Sequence, residues 1–171
     1  FRSSQNGFIM GVRFYKQAGN EGTHIGQLYS ATGTLLATAP FTNETASGWQ
    51  QVTFNPAVPI TAGTTYVASY FSPEGYFTKS LENFSNPVTN GPLTALSVPG
   101  MTTGNGMYRI FASPSFPQDE SPDRSNYMVD VIFNTTSSCS ITGTLATSGP
   151  VCAGEEINLQ LTSASGTAPF T

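Results

Sequence analysis

Short stretches of alternating hydrophobic and polar residues, separated by turn residues, run through most of this chain. Residues 8–15 alternate most cleanly: Phe8, Met10, Val12 and Phe14 fall on one face, and Ile9, Gly11, Arg13 and Tyr15 on the other. Glycine and asparagine close that stretch, and strands follow over 23–29, 35–41 and 49–54. Pro56 and Pro59 flank Val58, which makes the next piece an edge strand or a connector. Residues 65–71 form a strong strand of β-branched and aromatic side chains. The pattern then loosens over 72–107, where Pro73, Pro87, Pro92 and Pro99 stand among glycines and asparagines. A connection that long is either functional or carries small elements of its own. A strand over 108–111 follows, then a Pro-rich loop over 113–125. The closing strand is 126–133, with Tyr127, Val129, Val131 and Phe133 on one face. A single helical turn, over 79–84, is the only helix predicted. Strands at this spacing predict an all-β fold, an antiparallel β-sandwich of jelly-roll or Ig-like kind.

The character changes at 134–138, a polar run of the type that links domains. Beyond it, 140–146 and 155–162 read as two strands around Gly149 and Pro150. Residues 139–171 are too few for a sandwich of their own. The expected organisation is a sandwich module over 1–133, a linker over 134–138, and an incomplete Ig-like β unit over 139–171. The two cysteines, Cys139 and Cys152, lie in that last unit. They either bridge two strands of a hairpin, as suits an oxidising compartment, or remain two small buried thiols.

Composition reinforces the β reading. Only 9% of the residues are charged, against roughly 25% in ordinary soluble domains. The net charge is −4 and the six basic residues are scattered, so nucleic acid and anionic membranes are poor partners. No stretch approaches the roughly 20 apolar residues of a membrane helix, so no membrane insertion is expected. No signal-peptide pattern opens the chain. A mature secreted chain, or an internal fragment of one, would look like this, and the expected location is extracellular or on the cell surface.

The candidate chemistry is sparse. His24 is the only histidine, and a hydrogen-bonded structural role suits it better than that of a catalytic base. No nucleophile elbow, phosphate loop or metalloprotease helix occurs. Asp119, Glu120 and Asp123 share one loop and Glu74 and Glu82 another, but no spacing singles out a glycosidase pair. The chain is therefore not expected to be an enzyme. Calcium is the one cofactor considered, with Asp119, Asp123 and Asp130 as candidate ligands. Asp130 has a competing role, a cross-strand ion pair with Arg13. Exposed aromatic rings beside amides and acids suit the apolar faces of sugars. Trp49, Tyr70, Tyr76, Phe77 and Tyr108 are the candidates, with Trp49 alternatively packing under the long loop.

Several runs together resemble one family: GVRFYK at 11–16, GTHIGQL at 22–28, GTLLA at 33–37 and FTNETASGWQ at 41–50. ITAGTTYVASY at 60–70, GPL at 91–93 and NYMVDVIF at 126–133 complete the set. They resemble a family of secreted bacterial β-sandwich modules catalogued as domain of unknown function 4082, over about residues 8–133. The resemblance implies a non-catalytic accessory module, strung beside other domains in a large bacterial surface or secreted protein and suspected of binding carbohydrate. Its partners would be a polysaccharide or neighbouring domains of the same surface protein. The chain departs from the family in having Met128 where members favour Trp, and no His near 70–72. It also has almost none of the strand that members carry before Gly7. A sandwich short of one strand leaves an edge open to a strand from another chain, so self-assembly is a further expectation. The tail, GPVCAGEEINLQL at 149–161 with GTAPF at 166–170, resembles the opening of Ig-like repeats in bacterial surface adhesins. That likeness supports the alternative of a structural or adhesive repeat: a spacer, filament or surface-layer subunit with no small ligand.

Overall fold

Alternation of apolar and polar residues becomes eleven strands in the computed structural model, which describes residues 1–97, 105–121 and 123–136. In chain order these are β1 (Arg2–Ser3), β2 (Gly7–Lys16), β3 (Ile25–Ser30), β4 (Leu35–Pro40), β5 (Gly48–Ile60) and β6 (Tyr66–Phe71). They continue with β7 (Val88–Asn90), β8 (Leu93–Ala95), β9 (Met107–Tyr108), β10 (Asp119–Glu120) and β11 (Val129–Asn134). The chain divides into two units, Phe1–Ser137 and Ser138–Thr171. The second, with Cys139 and Cys152, lies outside the described residues.

Two three-stranded antiparallel sheets, β11-β2-β5 and β4-β3-β6, form a β-sandwich. Phe14, Val12 and Ile9 from β2 and Leu28 from β3 are wholly buried between them, with Phe41, Phe54, Ile60 and Tyr66 around these. Each such side chain contributes about 1.5–3 kcal/mol by leaving water. Gly26 permits the close approach of the sheets, because a Cβ there would run into Val12 and Val52.

Strict alternation would have put Ile9 outside and Met10 inside. A bulge reverses the phase. The β2–β5 register passes from Ile9 opposite Val58 to Gly11 opposite Thr53, and β11 likewise skips Met10. Against β11 Met10 is one extra residue, and against β5 it faces the four unpaired residues 54–57; the shift moves the side chains to the other face, so Ile9 joins Val12 and Phe14 in the core. β5 continues past Pro56 and Pro59 as one strand, but residues 54–57 leave the ladder with β2; it is an edge strand, where a residue without an N–H is tolerated.

Three other expectations change. No helix forms over 79–84, because the backbone there bonds outward. Ser80 and Asn126 exchange bonds at 2.9 Å, Glu82 N–H donates to Asp123 O at 3.0 Å, and Phe84 N–H donates to Arg124 O at 3.2 Å. Glu82 also has φ 56°, which a right-handed helix excludes. The strand expected over 108–111 stops at Tyr108. Its partner β10 places Asp119 opposite Tyr108, so the register would next bring Gln118 and then Pro117, which has no N–H to donate. The closing strand starts at Val129 rather than 126, because Met128 turns to φ 51° with its N–H bonded to the Asn126 side chain at 2.8 Å. The long connection does carry small elements, the β7–β8 hairpin with Gly91 and Pro92 at its tip.

The chain's first residues cover only part of an edge. β1 pairs with β8, Arg2 bridges Thr65, and Phe1 exchanges both backbone bonds with Tyr66, at 2.8 and 2.9 Å. Beyond Tyr66 the outer edge of β6 meets no strand among the described residues.

Candidate functional site

Segments of low regularity gather at one end of β6. The turn at 72–75 is set by Pro73 in second place and Gly75 in fourth, with Gly75 N–H donating to Ser72 O at 3.1 Å. Asn20, almost fully buried, pins this turn from below. It accepts from Ser72 Oγ at 2.9 Å and donates Nδ2–H to the Tyr76 carbonyl at 3.3 Å. Tyr76 and Phe77 are thereby held outward at 58% and 51% exposure. Tyr108 arrives on β9, and Tyr127 just before β11.

These side chains line a cleft of about 670 Å3 with Tyr70 and Phe111. Phe77 meets Tyr127 edge-on at 5.4 Å between ring centres, and Tyr108 lies 6.0 Å from Tyr127. Arg109 stacks over Phe111 at 5.1 Å and donates to Gln118 at 2.6 Å. Lys79 pairs with Asp123 at 2.9 Å on the rim. The Ser121 hydroxyl and Lys79 both donate to Asp123, holding its carboxyl well below the usual carboxylate range. The arrangement offers exposed aromatic faces beside amide, guanidinium and carboxylate groups, the combination that grips a polyhydroxylated ring.

Four of the five sequence-selected aromatics meet here, in two roles. Tyr76, Phe77 and Tyr108 are exposed walls. Tyr70 is the floor, stacked on Phe14 at 4.5 Å, so its ring belongs to the core. Burial pushes the Tyr70 hydroxyl up to about 12. The Thr78 backbone lies nearby but forms no hydrogen bond of normal geometry, and Tyr70 Oη, like Ser69 Oγ, is buried without a partner among the described residues. Trp49 is elsewhere, neither in the cleft nor under the long loop. It stands on the outer face of the β11-β2-β5 sheet, edge-on to Tyr15 at 5.7 Å and beneath Arg13 at 4.8 Å. Sequence reasoning missed Phe111, Tyr127, Arg109 and Lys79 as cleft residues. Only the Pro117 break in the β9–β10 register could have signalled Phe111.

The acids do not assemble. Asp130 accepts from Arg13 Nη2 at 2.6 Å and Nε at 3.1 Å, directly across the β2–β11 ladder. Asp123 is held by Lys79, and Asp119 pairs through its backbone with Tyr108. Among the described residues no three acidic, histidine or cysteine side chains gather in one place.

His24 is fully buried. Its Nδ1–H donates to Glu44 at 2.9 Å, since a carboxylate only accepts, and Nε2 faces no partner among the described residues. Glu44 also holds the buried Lys16 ammonium at 3.0 Å. This three-membered cluster closes one end of the core against Phe14, whose ring centre is 4.8 Å from the imidazole. The ring is enclosed, and among the described residues its one hydrogen-bond partner is Glu44.

Nothing among curated proteins or solved structures matches the chain. A family profile does, over residues 1–129, a span that covers the cleft and every sandwich strand up to the first residue of β11. The chain belongs to the family described as a domain of unknown function, DUF4082.

Proposed function

We propose that this is a non-catalytic accessory module of an extracellular or surface protein, and that the cleft beside β6 binds carbohydrate. The observation that carries the reading is the exposed aromatic wall of Tyr76 and Phe77, held by a braced turn, and Tyr108, held on β9. A pre-positioned aromatic platform binds without the entropy cost of ordering itself. Sugar hydroxyls would find Arg109, Lys79 and Glu74 along the same cleft. The test is retention on native gels containing xylan, laminarin or alginate, and pull-down on cellulose and chitin. Retention by one of these, reduced about tenfold in affinity by Tyr76→Ala, is expected. No retention on any of them overturns the reading.

A second reading, a structural repeat that packs against neighbouring domains, has its own support. Leu35 and Leu36 stand 47% and 39% exposed on the edge strand β4, as a docking strip would. Loss of association between adjacent domains in a Leu35→Lys variant would favour it.

A further inference from the structure

Two arginines lie over aromatic rings, and among the described residues only one of them meets a carboxylate. On the outer face of the β11-β2-β5 sheet, Arg13 lies over Trp49 at 4.8 Å. Its Nε and Nη2, which share one edge of the guanidinium, donate to Asp130 at 3.1 and 2.6 Å. In the cleft, Arg109 lies over Phe111 at 5.1 Å. Its Nη1 donates to Gln118 at 2.6 Å, which braces the group and leaves the Nε–Nη2 edge free. Among the described residues nothing bonds to that edge, and Arg109 enters no ion pair. Lys79, the other cation lining the cleft, is already neutralised by Asp123. We infer that the Nε–Nη2 edge of Arg109 takes the carboxylate of an acidic sugar, and that the ligand of the cleft is a polysaccharide of uronic acid units.

Such a ligand presupposes the carbohydrate reading of the cleft and narrows it to one class. Three features favour a carboxylate carried on a sugar ring. The first is restraint. The Phe111 ring and the Gln118 amide hold the guanidinium in place, so little rotamer freedom is lost when an anion arrives. The planar fork then matches the two oxygens of a planar carboxylate, as the Arg13 edge already does for Asp130. The second is reach. Tyr108 and Arg109 are consecutive, with Cα atoms about 3.8 Å apart. A sugar ring on the face of Tyr108 therefore lies near the guanidinium through the groups bonded directly to that ring. A uronic acid carries its carboxylate there, whereas a sulfate ester stands one oxygen further out. The third is the charge around the site. Glu74 also lines the cleft and forms no ion pair among the described residues, so it is free to accept from sugar hydroxyls. The whole chain has a net charge of −4, so an acidic polymer is held by one placed cation and not by bulk attraction.

Affinity electrophoresis of the full chain tests this on polygalacturonate and alginate, each beside its esterified, uncharged form. Xylan, laminarin and the sulfated polymer carrageenan complete the set. The parent should be retained by one or both uronates, and esterification should weaken that retention about tenfold, because it keeps the sugar ring and removes the charge. Arg109→Gln should lose about tenfold on the same polymer. Arg109→Lys keeps the charge without the fork and should remain about threefold weaker than the parent. Arg13→Gln, the same change on the other face, should leave retention as it was. Retention by xylan or laminarin with none on the uronates overturns the inference and leaves the carbohydrate reading standing. Equal retention on a uronate and its ester, or of Arg109→Gln and the parent, does the same. Carrageenan bound as tightly as the uronates also overturns it, since the edge then reads charge and not carboxylate. Retention by none of the polymers overturns both readings.

Discussion

The sandwich and the cleft obey opposite rules. In the sandwich, position along a strand dictates environment. Val12, Phe14 and Leu28 are buried because they alternate, and the facing sheet supplies the other half of their surroundings. In the cleft, aromatic residues as large as those of the core remain exposed, because backbone groups that could have formed strands bond to loops instead. Tyr76 is held out by Asn20 and Phe111 by the failure of pairing at Pro117. A fold can therefore display apolar rings without instability when the display rests on hydrogen-bonded turns and the core does not need those rings.

That contrast makes mutational costs uneven. The largest belongs to the buried charge cluster. Glu44→Gln leaves Lys16 and His24 facing a neutral amide, and the unpaired buried ammonium should cost about 3–5 kcal/mol. Urea unfolding followed by circular dichroism checks this, and a loss below about 1 kcal/mol would show that water reaches the cluster. Tyr70 comes next, as the one ring shared by core and cleft. Its folded hydroxyl titrates near 12 rather than the ordinary 10, so the stabilisation is whole below pH 10 and lost as pH rises from 10 to 12. The difference is about 2–3 kcal/mol. Unfolding midpoints across that range, compared with Tyr70→Phe, should isolate it, because the variant lacks the titrating group.

Smaller effects test the sheets. Gly26→Ala forces a methyl against Val12 and Val52 and should cost about 1–3 kcal/mol as overpacking. Arg13→Ala removes an ion pair whose two side chains are each nearly half exposed, so its cost should stay below about 1 kcal/mol. Tyr76→Ala and Tyr108→Ala should change stability by no more than about 0.5 kcal/mol, as surface substitutions do. If these two instead unfold the chain, the cleft is part of the core and the contrast collapses.

The sandwich was legible in the sequence because two-residue periodicity is a local property. Residues 8–15, 35–41 and 65–71 could be assigned from their own side chains, and so could the facing of Arg13 and Asp130. The misreadings share a different cause. Met10 looks like any inward residue until its partners on β5 and β11 are known to skip it. Lys16 and Glu44 are far apart in the chain, and nothing near either marks a buried pair. Residues 79–84 have helix-compatible side chains, but the destination of their backbone bonds is 123–126, a segment no local pattern connects to them. For the cleft, residue type found Tyr76, Phe77 and Tyr108, while Trp49, equally exposed, belongs to a different face. Chemistry alone cannot say which aromatics share a surface.

The central claim is that function sits in the cleft and not on the Trp49 face. Affinity electrophoresis of Tyr76→Ala, Tyr108→Ala and Trp49→Ala, on the polysaccharide that retains the parent chain, tests it most directly. The account predicts that the first two lose about tenfold in affinity or more, equivalent to about 1.4 kcal/mol, while Trp49→Ala migrates as the parent does. Retention abolished by Trp49→Ala and unaltered by the cleft variants would contradict it.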